Sequence, residues 1–551
     1  MKKLFLLFAL VILSGQLKAL PVDSTTFNSS NITNTITLSG DKSYKIKGFN
    51  YVKAGATVVI PAGTFLMGDF NTKGTLIFER GSKIYANGTA SQPIVFTSSK
   101  SAGLRNTGDW GGIIILGRAG INTVSGVDSA EIEGFGAGLG PIYGGQPRND
   151  ADSSGLLRYV RIEFAGINLS GVTGNEINSL TMGGVGSKTV IEYVQVSYAG
   201  DDSFEWFGGT VNCKYLVAYK GIDDDFDTDN GYRGKVQFGL AVRDSGYYDV
   251  STSNGFETDN NTNNPIGGAY NGPRTKPIFS NITMVGPYSS TSLSLNSLWG
   301  RGAHERRASQ MNVFNSIVMG WRTGLRLDGD ACYNGATGDT IRWRNNIFAG
   351  NVKLGDTAAS TSFSTQGWLQ TLTYANSVQS TSAGVLNSPF AVYPDNAANG
   401  NNWVPASGSL ALIGASFTDP NLAGMDIVTF RGALGTTNWL TTWTQWDPKN
   451  YATVGIQPVS TEVPAGFNLK QNFPNPFNPA TKINFSIPSK GFASLKVYDM
   501  TGKEVASLVN ENLIAGNYSV DFNAVNLTSG VYFYTLNSEG FRETKKMLLV
   551  K

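Results

Sequence analysis

The segments Tyr159-Val-Arg-Ile-Glu-Phe-Ala-Gly166 and Tyr193-Val-Gln-Val-Ser-Tyr-Ala-Gly200 are two copies of one strand-like stretch. A looser third copy, Tyr215-Leu-Val-Ala-Tyr-Lys-Gly221, begins 22 residues after the second. A repeat of about 20 to 50 residues is typical of a solenoid, in which each copy packs on the next. Because every copy reads as a strand, the repeat predicts a parallel β-helix.

A shorter motif in the same region predicts which side chains face the core. Its copies are spaced by 22 and then 30 residues: Ser203-Phe-Glu-Trp206, Asp225-Phe-Asp-Thr228 and Gly255-Phe-Glu-Thr258. Side chains alternate along a strand, so we expect Phe204, Phe226 and Phe256 to stack inside and their neighbours to face outward. The unequal spacing predicts loops inserted between successive turns of the solenoid.

The surrounding sequence also indicates an all-β fold. From about Asn31 to Gly350, short apolar runs such as Thr57-Val-Val-Ile60 alternate with Gly, Asn and Asp turns, without a sustained helical period. The 66 glycines among 551 residues exceed the usual ~7% and suit a fold with many turns. We predict a right-handed parallel β-helix. A β-sandwich of repeated hairpins is the competing architecture, because hairpin turns such as Asn87-Gly88 are present.

The N-terminus predicts export. Lys2 and Lys3 precede an apolar run at residues 4–13, and a small residue, Ala19, follows at a suitable distance for cleavage. We therefore expect residues 1–19 to be a signal peptide. No later stretch reaches the ~20 apolar residues of a transmembrane helix, so none is expected in the mature chain. Cys213 and Cys332 can form a disulfide in an exported protein, but two unpaired buried thiols are the favoured interpretation.

The chain is expected to divide into several segments after the signal peptide. Residues 20–350 form the β-helix, and residues 351–455 form its loop-rich C-terminal part or cap. A linker at residues 456–466 leads to a second all-β domain at residues 467–551, whose short strands suit a small β-sandwich. Three tryptophans lie just before the linker: Trp439, Trp443 and Trp446. They are expected to cover the open end of the core, and stacking on sugar rings is the alternative.

The C-terminal domain resembles the type A sorting domain of the type IX secretion system, which occurs on exported proteins of Bacteroidetes and related bacteria. The matching segments are Gln471-Asn-Phe-Pro-Asn-Pro-Phe-Asn-Pro479, Val497-Tyr-Asp-Met-Thr-Gly-Lys-Glu-Val505, Ser529-Gly-Val-Tyr-Phe-Tyr534 and Thr544-Lys-Lys-Met-Leu-Leu-Val-Lys551. The resemblance implies that residues 467–551 engage the secretion machinery. It also implies delivery through the periplasm to the cell surface or the medium.

The larger domain resembles a family of bacterial surface proteins with β-helix repeats. The segments that carry this resemblance include Asp109-Trp-Gly-Gly-Ile113, Asp201-Asp-Ser-Phe-Glu-Trp-Phe-Gly-Gly209 and Asp223-Asp-Asp-Phe-Asp-Thr-Asp-Asn-Gly231. The resemblance implies a fold like that of pectin lyases. No activity follows from it, because this fold supports lyases, hydrolases, adhesins and inert scaffolds.

The composition excludes several functions. Lys and Arg (43) nearly balance Asp and Glu (41), so a net charge of +2 gives no reason to expect nucleic-acid binding. A single histidine, His304, excludes a zinc site with several histidines. Catalysis, if present, would have to rely on carboxylates, arginine, this one histidine or a bound cation.

Aligning the repeats on phenylalanine stacks carboxylates on the outer face. Glu205, Asp227 and Glu257 share one outward position, and Asp229 and Asp259 share the next. Successive strands lie about 4.8 Å apart, so these like charges repel unless cations, arginines, hydrogen bonds or raised pKa values offset the repulsion. Calcium is the predicted cation, because it takes six to eight oxygen ligands. The candidate ligands are Asp223, Asp225, Asp227, Asp229, Glu257 and Asp259, and a solvated acidic edge without metal is the alternative.

The acidic run is not an EF-hand. Asp225-Phe-Asp-Thr-Asp-Asn-Gly231 begins like such a loop, but its glycine comes one place late. Val236 stands where the loop requires a bidentate carboxylate.

A basic cluster follows the acidic run along the chain. Leu325-Arg-Leu-Asp328 is interpreted as a fourth copy of the motif, which aligns Arg326 with the carboxylates. The residues around it are Arg301, His304, Arg306, Arg307 and Arg322. Arginines beside carboxylates suit an acidic polysaccharide, because a guanidinium binds a carboxylate bidentately. The simpler alternative is that the arginines neutralise the negative charge of the acidic strands and that His304 is an ordinary loop residue.

Two functions are therefore open. The first is a surface adhesin or glycan-binding scaffold that calcium stabilises. The second is a polysaccharide lyase or glycoside hydrolase that uses the acidic ladder and the arginine cluster. The catalytic candidates for the second function are Asp227, Glu205, Glu257, Arg326 and His304. An accessible cleft around these residues favours an enzyme, whereas a flat or covered ladder favours a scaffold.

Overall fold

The computed structural model describes residues 22–100, 102–123, 126–136, 138–168, 176–261, 272–358, 363–391, 400–450, 458–460, 464–489, 491–513, 515–524 and 527–551. The predicted signal peptide at residues 1–19 lies outside these residues, as do residues 456–457 and 461–463 of the predicted linker at residues 456–466. The chain separates into two compact units. One comprises residues 22–100 and 105–448, and the other consists mainly of residues 449–551.

The larger unit is a parallel β-helix, as the repeats predict. One of its sheets contains eleven of the described strands, and their order in the sheet is their order in the chain. These strands are Asn31–Ile32, Phe49–Val52, Thr75–Phe78, Gly112–Leu116, Leu180–Gly183, Phe204–Phe207, Phe226–Asp229, Phe256–Thr258, Ala303–Glu305, Thr323–Asp328 and Lys353–Ala358. Each neighbouring pair is parallel, so every strand begins one turn of the solenoid after the previous one.

A second sheet of 17 described strands forms the other two faces of the solenoid. Its strands are Val22–Asn28, Ile36–Thr37, Ser43–Lys47, Thr57–Ile60, Phe65–Gly68, Lys83–Asn87, Ile94–Ser98, Gly155–Glu163, Val190–Ser197, Asn212–Tyr219, Lys235–Val242, Ile278–Val285, Asn312–Phe314, Ile317–Met319, Arg342–Arg344, Ile347–Ala349 and Ser377–Gln379. The strand Gly155–Glu163 pairs with Lys83–Asn87 through its first half and with Ile94–Ser98 through its second half. It bends between the two halves at Tyr159, whose φ is 50°.

The core follows the predicted alternation. Phe204, Phe226 and Phe256 are fully buried and stack with 5.6 Å between successive ring centroids. Cys213 and Cys332 are buried, and both are free thiols. The predicted aromatic ladder is therefore observed, and no disulfide joins the two cysteines.

Short elements interrupt or follow the turns of the solenoid. Two antiparallel pairs lie in inserted loops: Ser129–Glu131 with Ile142–Gly144, and Ile167–Asn168 with Glu176–Ile177. The helices among the described residues are Asp330–Thr337 and Thr365–Leu369, with 3-10 turns at Leu372–Tyr374, Asn401–Trp403, Leu410–Leu412 and Pro420–Leu422. The described ranges thus contain very little helix, as the lack of a sustained helical period in the sequence predicts.

Residues 410–446, which we name the strap, run back along the outside of the solenoid. Side-chain amides clasp the strap backbone with paired hydrogen bonds of 2.8 to 2.9 Å: Asn315 holds Ser416, Gln237 holds Asp426 and Gln195 holds Gln445. Trp443 packs edge-on against Tyr159 and Tyr193. The tryptophans therefore lie against bends in the middle turns of the solenoid, and not over its end as expected. They do so because the strap reverses direction relative to the solenoid.

The smaller unit is a β-sandwich of two four-stranded antiparallel sheets. One sheet contains Pro458–Ser460, Asn468–Leu469, Ala480–Ile487 and Gly516–Asn523, and the other contains Gly491–Tyr498, Glu504–Leu513, Gly530–Ser538 and Phe541–Leu549. Its core includes Phe485, Leu495 and Tyr534. This is the fold expected for the C-terminal domain.

Candidate functional site

One outward column of the 11-stranded sheet carries most of the predicted site residues. From the strand Phe49–Val52 onward, the strand register places ten side chains in this column, one from each successive strand: Tyr51, Ile77, Ile114, Thr181, Glu205, Asp227, Glu257, His304, Arg326 and Asp356. The three carboxylates stand in the order predicted from the repeats. We name this set of ten residues the outer column.

His304 occupies the place in the outer column that the sequence assigned to Arg326. Ala303 sits at the core position opposite Phe256, so the strand Ala303–Glu305 lacks the phenylalanine that marks the repeat. Arg326 follows one strand later, opposite His304. The prediction that Leu325-Arg-Leu-Asp328 is the fourth copy was therefore wrong by one strand, and His304 lies in a strand rather than in a loop.

The carboxylates form three overlapping groups in which the ligand-type oxygens lie within 4.8 Å of one another. The groups are Asp201, Asp202 and Asp223; Asp202, Glu205 and Asp227; and Asp224, Asp227 and Glu257. Asp202 and Asp227 each belong to two groups. The acidic run thus meets the outer column as one continuous cluster, which we name the acidic cluster.

A ladder of Asn and Asp side chains borders the acidic cluster. Each residue accepts a hydrogen bond through Oδ1 from a backbone N–H of the next turn. The successive pairs are Asn178 with Asp202 (3.2 Å), Asp202 with Asp224 (2.8 Å), Asp224 with Asn254, and Asn254 with Arg301 (3.1 Å). Two asparagines and two aspartates therefore perform the same structural task.

Burial and mutual repulsion favour the neutral forms of the clustered acids. Burial, followed by the charge of Asp224, raises the pKa of Asp202 to about 7. Burial and then Asp227 raise the pKa of Glu205 well above its usual range. Within the described part of the chain, Oε1 of Glu205 and Oδ1 of Asp227 have no hydrogen-bond partner. At neutral pH the cluster must therefore hold protons or bound cations.

Asp225 does not face outward as expected. Its side chain is fully buried and its carboxylate accepts a 2.9 Å hydrogen bond from Nε of Arg243, which is also fully buried. The strand begins at Phe226, so Asp225 belongs to the preceding turn and strand alternation does not apply to it. Asp225 therefore forms an ion pair with Arg243, and it is not a member of the three groups of the acidic cluster.

The other predicted metal ligands lie in three different environments. Asp227, Glu257 and Asp223 belong to the acidic cluster, although Asp223 also accepts a 2.8 Å hydrogen bond from Ser251. Asp259 is instead held by two arginines, with Arg306 at 2.8 Å and Arg307 at 2.9 Å. Asp229 accepts a hydrogen bond from the backbone N–H of Asn230, and burial followed by Asp259 raises its pKa to about 7.

Inserted loops cover the outer face next to the acidic cluster. Ile77 and Ile114 of the outer column pack against loop residues that include Ile132 and Tyr143. Glu133 on the same loop accepts a 2.9 Å hydrogen bond from Asn178, and burial raises its pKa to about 8. The inserted loop therefore places a further carboxyl group, that of Glu133, beside the acidic cluster.

The far end of the outer column is basic and more exposed. His304 lies 3.2 Å from Asp328 through Nε2 and 3.8 Å from Glu257 through Nδ1, and burial lowers its pKa. Arg326 makes two long ion pairs of 3.5 Å, to Asp328 and Asp356. Burial and then the charge of Arg326 lower the pKa of Arg301, so the two guanidinium groups lie close enough to repel.

Sequence reasoning overlooked Asp201, Asp202 and Asp224 as members of the cluster. A usable signal was present, because an Asn or Asp stands two residues before each inward side chain at the start of a strand. The pairs are Asn178 with Leu180, Asp202 with Phe204, Asp224 with Phe226 and Asn254 with Phe256. Glu133 carried no comparable signal, since it reaches the cluster from a separate loop.

Comparison with known protein families agrees with this architecture. A family model described as a pectate-lyase like beta helix domain matches residues 30–393, and one described as a secretion system C-terminal sorting domain matches residues 471–551. No curated protein and no solved structure matches the chain. Among the described residues, no helix has both the length and the apolar character needed to cross a membrane. The sorting domain implies a secreted or cell-surface protein that engages the type IX machinery. Because the first match covers about two thirds of the chain, the protein belongs to the pectate-lyase-like β-helix family.

Proposed function

We propose that this protein is a cell-surface scaffold that binds an acidic polysaccharide through the basic end of the outer column. The observation that carries the proposal is that the guanidinium groups of Arg301 and Arg326 have few partners within the protein. In the part of the chain that the structure describes, the guanidinium of Arg301 has no ion pair, and that of Arg326 has only the two long ion pairs of 3.5 Å to Asp328 and Asp356, although both groups are partly buried. Two neighbouring arginines with unused donors match the carboxylates or sulfates of an acidic glycan.

The regular spacing of charged side chains along the outer column supports a polymeric ligand with a repeating unit. Neighbouring strands of the sheet lie about 4.8 Å apart, and the outer column presents one side chain per strand. Arg326, Asp328 and Asp356 keep a quarter or more of their side-chain surface exposed. A polymer lying along the solenoid axis therefore meets charged groups at several successive strands.

The burial of the catalytic candidates favours a scaffold over an enzyme. Glu205 is only 2% exposed and His304 only 8%. A glycosidic bond must approach its catalytic acid within hydrogen-bond reach, and these groups lie under neighbouring side chains. Cleavage by the pair Asp227 and Glu257, which are more exposed, is the alternative function.

The test is binding of the purified chain to polygalacturonate, alginate and neutral dextran. We expect binding to the two acidic polymers only, and about 10- to 100-fold weaker affinity for Arg301→Gln and Arg326→Gln, since each removes a charge-assisted contact. Arg342→Gln is the matched control, because Arg342 is similarly exposed but is fully engaged by Asp419 at 2.9 Å. Equal binding of dextran, or unchanged affinity in both variants, contradicts the proposal. Depolymerisation that Asp227→Asn abolishes supports the alternative enzyme.

A further inference from the structure

The acidic cluster contains an enclosed group that differs from the exposed basic end. Thr181 is 1% exposed, Glu205 2% and Asp202 8%. Thr181 and Glu205 are opposite each other on neighbouring strands of the outer column, and Asp227 follows on the next strand. The oxygens of Asp202, Glu205 and Asp227 lie within 4.8 Å of one another.

Several oxygens in this group have no partner among the described residues. They are Oγ1 of Thr181, Oε1 of Glu205 and Oδ1 of Asp227. Leaving a buried polar group without a hydrogen bond costs about 1 to 3 kcal/mol, so native proteins rarely leave several together. The hydroxyl of Thr181 is not part of the acidic run, and it supplies an independent indication that a ligand belongs here.

The neighbouring cations do not neutralise the group. Arg243 pairs with Asp225, and Arg306 pairs with Glu257 and Asp259. Three carboxylates therefore share a buried space without an ion-paired side chain of their own, which is costly unless a cation is bound.

The Asn and Asp ladder shows that the charge of Asp202 is not needed for folding the turn. Asn178 and Asn254 accept the same backbone hydrogen bond with a neutral amide. Asparagine at position 202 would keep the ladder and would remove the repulsion from Glu205 and Asp227. An aspartate at this place is explained if its second carboxylate oxygen binds a cation.

We infer that Thr181, Asp202, Glu205 and Asp227 form an enclosed structural site for a divalent cation, with Ca²⁺ as the ion. All four ligand atoms are oxygens, and Ca²⁺ accepts six to eight oxygens at 2.3 to 2.6 Å in irregular geometry, so backbone carbonyls or waters complete the shell. This set differs from the six ligands predicted from the sequence, of which it retains only Asp227. The cation lies beneath the surface and serves the fold, so the inference goes beyond glycan binding and does not depend on it.

The test is calorimetric titration of Ca²⁺ into the purified, chelator-treated full chain. We expect a binding event in the unmodified chain that is at least 10-fold weaker in Glu205→Gln and in Asp202→Asn. Asp202→Asn is the second variant because it preserves the hydrogen bond of the ladder, so it is expected to fold even if Glu205→Gln fails to fold. Glu192→Gln, which alters a surface ion pair with Arg158, is the control and should bind Ca²⁺ as the unmodified chain does.

Two outcomes overturn the inference: no Ca²⁺ binding by the unmodified chain, or a Ca²⁺ affinity in Asp202→Asn and Glu205→Gln that equals that of the unmodified chain. The glycan-binding proposal fails separately. Arg326→Gln should lose polysaccharide affinity and keep Ca²⁺ binding, whereas Glu205→Gln should show the reverse.

Discussion

The outer column contains two regions that share one strand geometry but differ in chemistry. At its N-terminal end, Ile77 and Ile114 face outward and are buried beneath inserted loops. In its middle, Glu205 and Asp227 occupy the same column and are also largely enclosed. The apolar region gains stability from burial, whereas the acidic region loses it unless something neutralises the charges. Strand register therefore sets where a side chain lies, and its chemistry decides whether the fold needs a ligand there.

The largest expected effect of a single substitution comes from placing a charge in the apolar region. Ile114 is 1% exposed. We expect Ile114→Asp to lower the free energy of unfolding by about 4 kcal/mol or more, because an unpaired carboxylate would be buried without a cation. Urea unfolding measures the change, and Ile114→Val, expected to cost about 1 kcal/mol, is the control. A loss near 1 kcal/mol for both variants would show that the two regions tolerate charge equally.

The next effect is a pH dependence of the free energy of unfolding that arises from the acidic region. Burial raises the pKa of Asp202 to about 7 and that of Glu133 to about 8, against ordinary values near 4. A group whose pKa is raised in the folded state stabilises the fold when protonated and loses this contribution as pH rises through the folded pKa. Each group loses about 1.4 kcal/mol per pH unit up to its folded pKa, so without divalent cations we expect the free energy of unfolding to fall by several kcal/mol, about 7 for these two groups together, between pH 5 and pH 8.5.

Thermal unfolding in chelator across this pH range measures the loss. The double variant Asp202→Asn with Glu205→Gln should show a flatter profile, since two of the titrating groups are gone. Stability that rises from pH 5 to pH 8.5 in the unmodified chain would be the opposite of the expected sign.

A smaller effect should follow from extending the acidic region by one residue. Asn254 donates through Nδ2 to Glu257 at 3.1 Å. Asn254→Asp keeps the ladder oxygen but places a carboxylate against Glu257, so we expect a loss of about 1 to 2 kcal/mol in chelator. The comparison of unfolding with and without Ca²⁺ checks the cause. A loss that is unaffected by Ca²⁺ and by acid pH would exclude charge repulsion.

The smallest effect concerns Thr181, which stands at the border between the two regions. Val replaces its unpartnered hydroxyl with a methyl group of similar size. We expect Thr181→Val to be neutral or to stabilise the chelated protein by about 0.5 to 1 kcal/mol, and to weaken Ca²⁺ binding. Destabilisation by more than about 1 kcal/mol in chelator would mean that the hydroxyl already has a partner.

The regularity of the repeats explains how much of the fold was predictable. The Phe204, Phe226 and Phe256 ladder and the outward alignment of Glu205, Asp227 and Glu257 follow from strand periodicity, because parallel in-register strands repeat one environment. The place of His304 in the outer column was not predicted, because Ala303 replaces the phenylalanine that marks the repeat. Asp225 was misplaced because it lies just before the strand, where alternation does not hold.

Long-range contacts explain what the sequence could not show. Asn315 and Ser416 are joined by two hydrogen bonds across about 100 residues of chain, and no local pattern predicts that the strap reverses along the solenoid. Glu133 reaches the acidic cluster from an inserted loop in the same way. Such placements depend on tertiary packing, which periodicity does not encode.

The central claim is that a bound cation compensates for the charge of the acidic region, and thermal unfolding at pH 8 tests it most directly. Chelator-treated protein is heated with and without excess Ca²⁺, alongside Asp202→Asn. The account predicts that Ca²⁺ raises the Tm of the unmodified chain by several degrees and that of the variant by much less. An unchanged Tm for the unmodified chain, or an equal rise in both proteins, would contradict it.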